Sequence, residues 1–289
     1  MSLKLALRDA GRRVLPLRLR KRLAIWLHHQ RWIPEPRRRW WSQELVSDLG
    51  LTEGNAYHKF LWANHLAYAR TYEVSQRFGF ENFNETRKMF LATLEETLRE
   101  RGLDPAADVG CAFDVGCSLG YTLRYLETDV FPEATRLGGM DIDAHAIDAG
   151  RTYLDQQSSK IRLTCGNMET LDEVLGEETC DVIICPGTLM YLREDEAARV
   201  VRSILRHTEI LAGFAGLAHP EIDNSRLEHS AVRAHDRSFI HNLDRMIAQA
   251  GGTIVHRRWD GPRVVDGNTV YFLFAVGPGG AGGPGPRAA

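Results

Sequence analysis

One stretch of this chain constrains its fold more than any other. The apolar run Cys111 to Val115 leads through Asp114-Val115-Gly116-Cys117-Ser118-Leu119-Gly120 straight into Tyr121 to Leu126, which has helical spacing. Glycine at such a turn lets backbone approach a ligand with no Cβ in the way, and the amides at the helix start can bind a carboxylate. Alone, the turn is equally well a bare strand-to-helix connection. The next apolar run, Arg136 to Met140, sharpens it by ending in Asp141-Ile142-Asp143 before another helical stretch. A carboxylate at that strand end is placed to accept both ribose hydroxyl hydrogens of an adenosine. Asp141 is the better candidate, because Asp143 is more simply the N-cap of the helix that follows.

The same texture continues. Further strands are expected at Ile161 to Thr164, Asp181 to Cys185 and Ile210 to Leu217, the alternation that marks a mostly parallel sheet. A helix is expected over Ser238 to Ala250, stopping at Gly251-Gly252, and then two strands, Thr253 to Trp259 and Thr269 to Val276. Asp260-Gly261-Pro262 and Asp266-Gly267-Asn268 read as turns, so the last strands should form an antiparallel pair. Residues 41–108 are expected to form a helical lid or cap region before an α/β domain at 109–277. One face there carries Tyr57, Leu61, His65, Tyr68 and Tyr72, and another Phe90, Leu94 and Leu98. The Gly/Pro tail, 278–289, has too few side chains to pack and is expected to be disordered.

Charge divides the chain unevenly. Residues 1–40 hold twelve Lys or Arg against Asp9 and Glu35, while the whole chain carries a net charge of -2. This basic amphipathic arm, interleaved with leucines and Trp26, suits an anionic membrane surface or an acidic partner, and suits equally a solvated helix packed on an acidic body. No apolar run is long enough to cross a bilayer, and no signal-peptide pattern is visible. A cytoplasmic protein, peripheral at the membrane if the arm binds there, is the expectation. The five cysteines show no CxxC spacing and are expected to be reduced, mostly buried thiols.

In this order the segments resemble the class I SAM-dependent methyltransferases over roughly residues 110–277. The resemblance implies a Rossmann-like, seven-stranded, mostly parallel sheet with antiparallel last strands, and S-adenosyl-L-methionine (SAM) as cofactor. It implies that the turn (Asp114, Gly116, Cys117, Ser118, Gly120) holds the methionine part and Asp141 with Ile142 the ribose. Asn167 and Met168 then approach the adenine, and Cys185 belongs to the segment 181–192 that borders donor and acceptor. Ser118 departs from the family's middle glycine, and its hydroxyl is expected to bond the SAM carboxylate. Asn167 stands where Asp is common, still offering an amide.

Methyl transfer needs donor and acceptor held in line, and a base only where the acceptor must lose a proton. His219, after the fifth strand, is the first candidate base, and Tyr191 is a second-rank candidate for the acceptor pocket. His145 is expected at the surface, while Arg233, His235 and Arg237 suit an anionic acceptor or a solvated loop. No metal requirement is expected. The expected acceptor is a small molecule, a sugar, glycolipid or secondary metabolite methylated on oxygen. The acidic catalytic region and the lack of an Asn-Pro-Pro-Tyr type segment argue against nucleic acid. Two alternatives stay open: an NAD(P)-dependent oxidoreductase or epimerase on the same turn, and a non-catalytic membrane- or partner-docking protein on a Rossmann-like scaffold.

Overall fold

The computed structural model describes residues 15–49, 54–67, 74–234 and 236–278. Tyr68, Tyr72, His235, the first fourteen residues of the arm and the tail after Pro278 lie outside them.

Seven strands form one sheet: β1 (Cys111–Val115), β2 (Arg136–Asp141), β3 (Ile161–Cys165), β4 (Cys180–Pro186), β5 (Thr208–Ala215), β8 (Thr253–Val265) and β9 (Asn268–Val276), in the order β3-β2-β1-β4-β5-β9-β8. The first five are parallel, and β9 is antiparallel to both β5 and β8. β1 and β4 are buried along their whole length, as parallel strands covered on both faces must be. A short hairpin, β6 (Ala231–Val232) with β7 (Phe239–Ile240), stands outside the sheet.

Helices cover both faces. Phe90, Leu94 and Leu98 of α4 (Glu85–Glu100) meet Phe272 and Phe274 of β9 on one side. On that side too lie α5 (Tyr121–Tyr125) and α6 (Ala144–Gln156), with Leu123, Ile147 and Leu154 in the same core. The opposite core takes α7 (Leu171–Leu175), α8 (Glu194–His207) and α9 (Leu243–Gln249). Ala197, Val200, Val201, Ile204 and Leu205 give α8 an apolar stripe at helical spacing.

Among the described residues, three helices of ten or more residues precede α4. α1 (Leu17–His28), α2 (Glu35–Glu44) and α3 (Gly54–Ala63) enclose a small core of their own, Ala24, Val46, Leu49, Leu61 and Leu66. α2 runs across the expected boundary at residue 40, so the described arm and the helical region form one cap. Arg20, counted among the arm's surface cations, is instead buried, with both terminal nitrogens on the Asp48 carboxylate at 2.7 and 2.8 Å.

Three local expectations change. The helix expected from Ser238 begins at Leu243, because Phe239–Ile240 pair as β7 and Asn242 caps the helix by accepting from the Arg245 amide. Asp260-Gly261-Pro262 is not a turn between strands but lies within β8, in the register shift between Trp259 and Val264, with Gly261 at φ 66°. The true hairpin turn is Asp266-Gly267, both residues at positive φ, as a two-residue loop requires. Finally, Cys111 and Cys180 on neighbouring strands are joined as a disulfide, and Cys165 is an exposed free thiol. A pairing set by strand adjacency across 69 residues leaves no mark in cysteine spacing.

Candidate functional site

The C-terminal ends of β1, β2, β3, β4 and β5 open onto one cleft of about 290 Å³, closed from above by α3 and at the side by the start of α4. Parallel strands put their exits on a common edge, which is where α/β sheets bind ligands.

The glycine turn forms the floor. The amides of Gly116 and Cys117 both donate to the Met140 carbonyl, folding the turn onto β2. Gly116 has φ 89°, and a Cβ there would collide with Thr188, whose hydroxyl donates to the Val115 carbonyl at 3.0 Å. Ser118 also sits at positive φ, 53°, the conformation that explains a glycine preference at its position. Its backbone amide donates to Asp141 Oδ2 at 2.8 Å, and the amide of Asp143 donates to Asp141 Oδ1 at 2.9 Å. Asp141 thus ties two loops together from the cleft wall. Burial raises its pKa, and those two amides oppose the rise.

Beneath the turn lies Asp114, fully buried with neither carboxylate oxygen hydrogen-bonded. Burial pushes it up to about 7, Arg87 pulls it down, and Asp141 adds to the rise. Arg87 reaches the cleft from the first turn of α4, where the Asn84 cap accepts from its amide. Its Nη1 donates to Thr122 Oγ1 at 2.7 Å, and its guanidinium lies 5.1 Å over the Tyr121 ring.

At the β3 exit Gly166, Asn167 and Met168 line the cleft. The Asn167 side chain is already engaged: Oδ1 accepts from the Glu169 amide and Nδ2 donates to Glu169 Oε2. Lys59 of α3 pairs with that same Glu169 and, at 3.3 Å, with Glu196 of α8, fastening the cap across the cleft. Next to it, Tyr191 packs between His58 and Trp62, ring centres 5.0 and 5.1 Å away. His58 is buried and its Nε2 has no hydrogen-bond partner. Burial lowers its pKa, against a bond to the Arg237 backbone.

Residues 112–209, from β1 into β5, match the family model described as a methyltransferase domain. Residues 112–209 carry a methyltransferase domain, set in the seven-stranded sheet described above. Magnesium protoporphyrin IX methyltransferase (ChlM) from Synechocystis PCC 6803, solved with SAH, is 12% identical with a TM-score of 0.50, covering 81% of this chain and 99% of that one. The CcbJ methyltransferase from Streptomyces caelestis is 16% identical with a TM-score of 0.47, covering 66% and 88%. At these identities the likeness is one of fold. No curated protein sequence matches the chain. The strand order, with β9 antiparallel beside β5, also leaves the nicotinamide alternative without its second parallel half.

Within the methyltransferase domain the expected site residues divide. Gly116, Ser118, Asp141, Ile142, Asn167, Met168 and Tyr191 line the cleft together. Asp114, Cys117, Gly120 and Cys185 do not, and stand behind it. Gly120 is the left-handed N-cap of α5 at φ 81°. Cys117 is buried against Gly139, and Cys185 bonds Thr188 Oγ1 at 3.0 Å, its thiol pushed up to about 12 by burial. His219, the expected base, lies outside the lining, and its Nδ1 accepts from the amides of Glu221 and Ile222, closing its own loop. Arg233 pairs with Asp236, and Arg237 lies over the Tyr57 ring, so this loop braces the cap. His145 is exposed, its ring 4.5 Å from that of His65, which bonds Asp143 at 2.6 Å.

Sequence reasoning missed Lys59, Trp62, Arg87, Gly187, Thr188 and the β9 residues Asn268, Thr269 and Phe272. Only Gly187 and Thr188 had a signal, lying in the segment already singled out. The others arrive through packing of the cap and the β8–β9 hairpin.

Proposed function

We propose that this methyltransferase acts on a hydroxyl oxygen of a small-molecule acceptor, a sugar, glycolipid or secondary metabolite. SAM, when bound, supplies an electrophilic methyl group on a cationic sulfur. The residues fit it. Asp141 keeps lone pairs for ribose hydroxyls beyond the two amides it accepts, and Gly187, at φ 83° with nothing within 4 Å of a Cβ position, leaves the β4 exit open. The buried Asp114 carboxyl under the turn suits a cationic ligand.

The observation that favours oxygen is His58. An amine acceptor brings its own lone pair, whereas a hydroxyl must give up a proton near the transition state. His58 backs the wall made by Tyr191 and Trp62, holds Nε2 without a partner, and is neutral at pH 7 because burial depresses its pKa. Like His219 it stands outside the cleft lining, so in this reading it takes the base role only when the Tyr191 ring in front of it moves aside, while Trp62 holds the acceptor by ring contact.

The test has two parts. Calorimetry should show SAM binding that Asp141→Ala weakens by roughly thirtyfold, about the cost of losing two good hydrogen bonds. An acceptor screen followed by SAH release should then favour hydroxyl over amine members of matched scaffolds, with His58→Gln lowering kcat at unchanged SAM affinity. Turnover confined to amines, indifferent to His58→Gln, would refute the oxygen reading.

A further inference from the structure

The outer surface of the cap is unlike the surface of a solvated helical bundle. Four of the chain's six tryptophans are exposed within sixteen residues: Trp26 at 52%, Trp32 at 75%, Trp40 at 46% and Trp41 at 41%. Leu19 is exposed beside them. Both helices are two-faced. α1 turns Ala24 and Arg20 inward and Leu19, Arg22 and Trp26 outward, at spacings of three and four, and α2 turns Ser42 inward and Arg37, Trp40 and Trp41 outward. Exposed large apolar side chains on this scale mark a surface built to be covered.

Charge identifies what covers it. Arg18, Arg22, Arg31 and Arg37 are exposed among the tryptophans. None of the three acids in residues 15–49, Glu35, Glu44 and Asp48, is exposed. Indole rings settle at the lipid–water boundary, with an apolar body for the acyl region and an N–H for the headgroups, while arginines pair with phosphates. No helix among the described residues is long and apolar enough to cross a membrane, so the geometry is that of a helix pair lying on a surface. A nucleic acid would use the arginines and could stack on the rings, but gains nothing from Leu19 or from the exposed Pro16, Pro34 and Pro36.

We propose that α1, α2 and the loop between them form a docking face for a bilayer containing anionic phospholipid. The same cap that presents this face holds α3, whose Lys59 and Trp62 line the cleft, through the shared core of Ala24, Val46 and Leu61. Docking therefore sets the cleft at a fixed distance from the lipid surface, where an amphiphilic acceptor would be concentrated. The inference does not depend on the acceptor atom or on His58.

The experiment is cosedimentation of the full chain with phosphatidylcholine vesicles and with phosphatidylcholine/phosphatidylglycerol vesicles, with tryptophan emission recorded in parallel. The expected result is binding to the anionic vesicles alone, with a blue-shifted emission. Two variants that leave the cap core intact separate the contributions. Trp26→Ala/Trp32→Ala should reduce partition about tenfold and diminish the blue shift. Arg18→Glu/Arg22→Glu should reduce partition at least tenfold, since each cation near such a surface is worth about 1 kcal/mol. Calorimetric SAM binding, unchanged in both, shows that they are folded. Protein that binds SAM yet stays in the supernatant with both vesicle types overturns the proposal. So does vesicle binding that the tryptophan variant leaves intact, or a single-stranded oligonucleotide that binds the same face while vesicles do not.

Discussion

The buried carboxyl of Asp114 makes the ligand-free protein sensitive to pH in a way that one substitution isolates. Its pKa stands at about 7 in the fold against an ordinary 3.8, because burial outweighs the attraction of Arg87. Below about pH 3 the group is protonated in folded and unfolded chains alike and contributes no pH dependence. Between pH 4 and 7 the unfolded chain ionises while the fold keeps its proton, so the unfolded state binds fewer protons and stability falls as pH rises. The slope is about 1.4 kcal/mol per pH unit, and over some three units the loss sums to about 4 kcal/mol, complete above pH 7. Asp114→Asn keeps the shape and removes the titration. Urea denaturation of wild type and variant, without SAM, at pH 4, 5, 6, 7 and 8 should show the variant gaining on wild type by about 4 kcal/mol between pH 4 and 8, with most of the change below pH 7. A difference that stays flat across this range would refute a raised Asp114 pKa, and with it the view that the floor of the cleft stores an unneutralised acid.

His219→Ala should leave kcat and SAM affinity unchanged while lowering stability by roughly 1 kcal/mol, because its Nδ1 accepts from the amides of Glu221 and Ile222; a large loss of kcat would return it to the reaction. Gly116→Ala should cost about 2 to 3 kcal/mol by urea denaturation, since φ 89° and the collision with Thr188 are both unfavourable to a Cβ, and a neutral result would mean that the turn relaxes freely.

Local chemistry was readable wherever the residue that chooses the structure lies beside the structure it chooses. The apolar runs located all seven sheet strands to within two residues at their starts, and Asp143 was identified as a cap from its place before α6, where its side chain accepts from the Ala146 amide. Asp141 was placed at a strand end for the same reason. Arg87 and Phe272 were invisible because their place in the cleft depends on α4 and β9 packing against the sheet, a contact between segments far apart in the chain. Arg20 shows the same limit from the other side: in sequence it is one more cation of the arm, and only the fold supplies Asp48 and the Leu45 carbonyl that bury it.

The proposed exchange of His219 for His58 rests on what each ring has left to offer. A histidine just after a strand in the cleft edge is well placed in sequence, but Pro220 turns the chain there, and the nearest unsatisfied donors are the amides of its own loop, which take Nδ1. His58 has no such neighbours: it sits inside α3, whose amides are committed to the helix, and packs its ring against Tyr191 at the cleft wall. A base must be buried enough to be neutral and poor enough in local partners to keep a lone pair, and an interior helical position facing another element meets both conditions more readily than a loop does. The cap therefore lines the cleft as well as covering it. Its inner helix brings Lys59 and Trp62 to the cleft, while its outer helices carry the exposed tryptophans, and the two are joined through the core of Ala24, Val46 and Leu61.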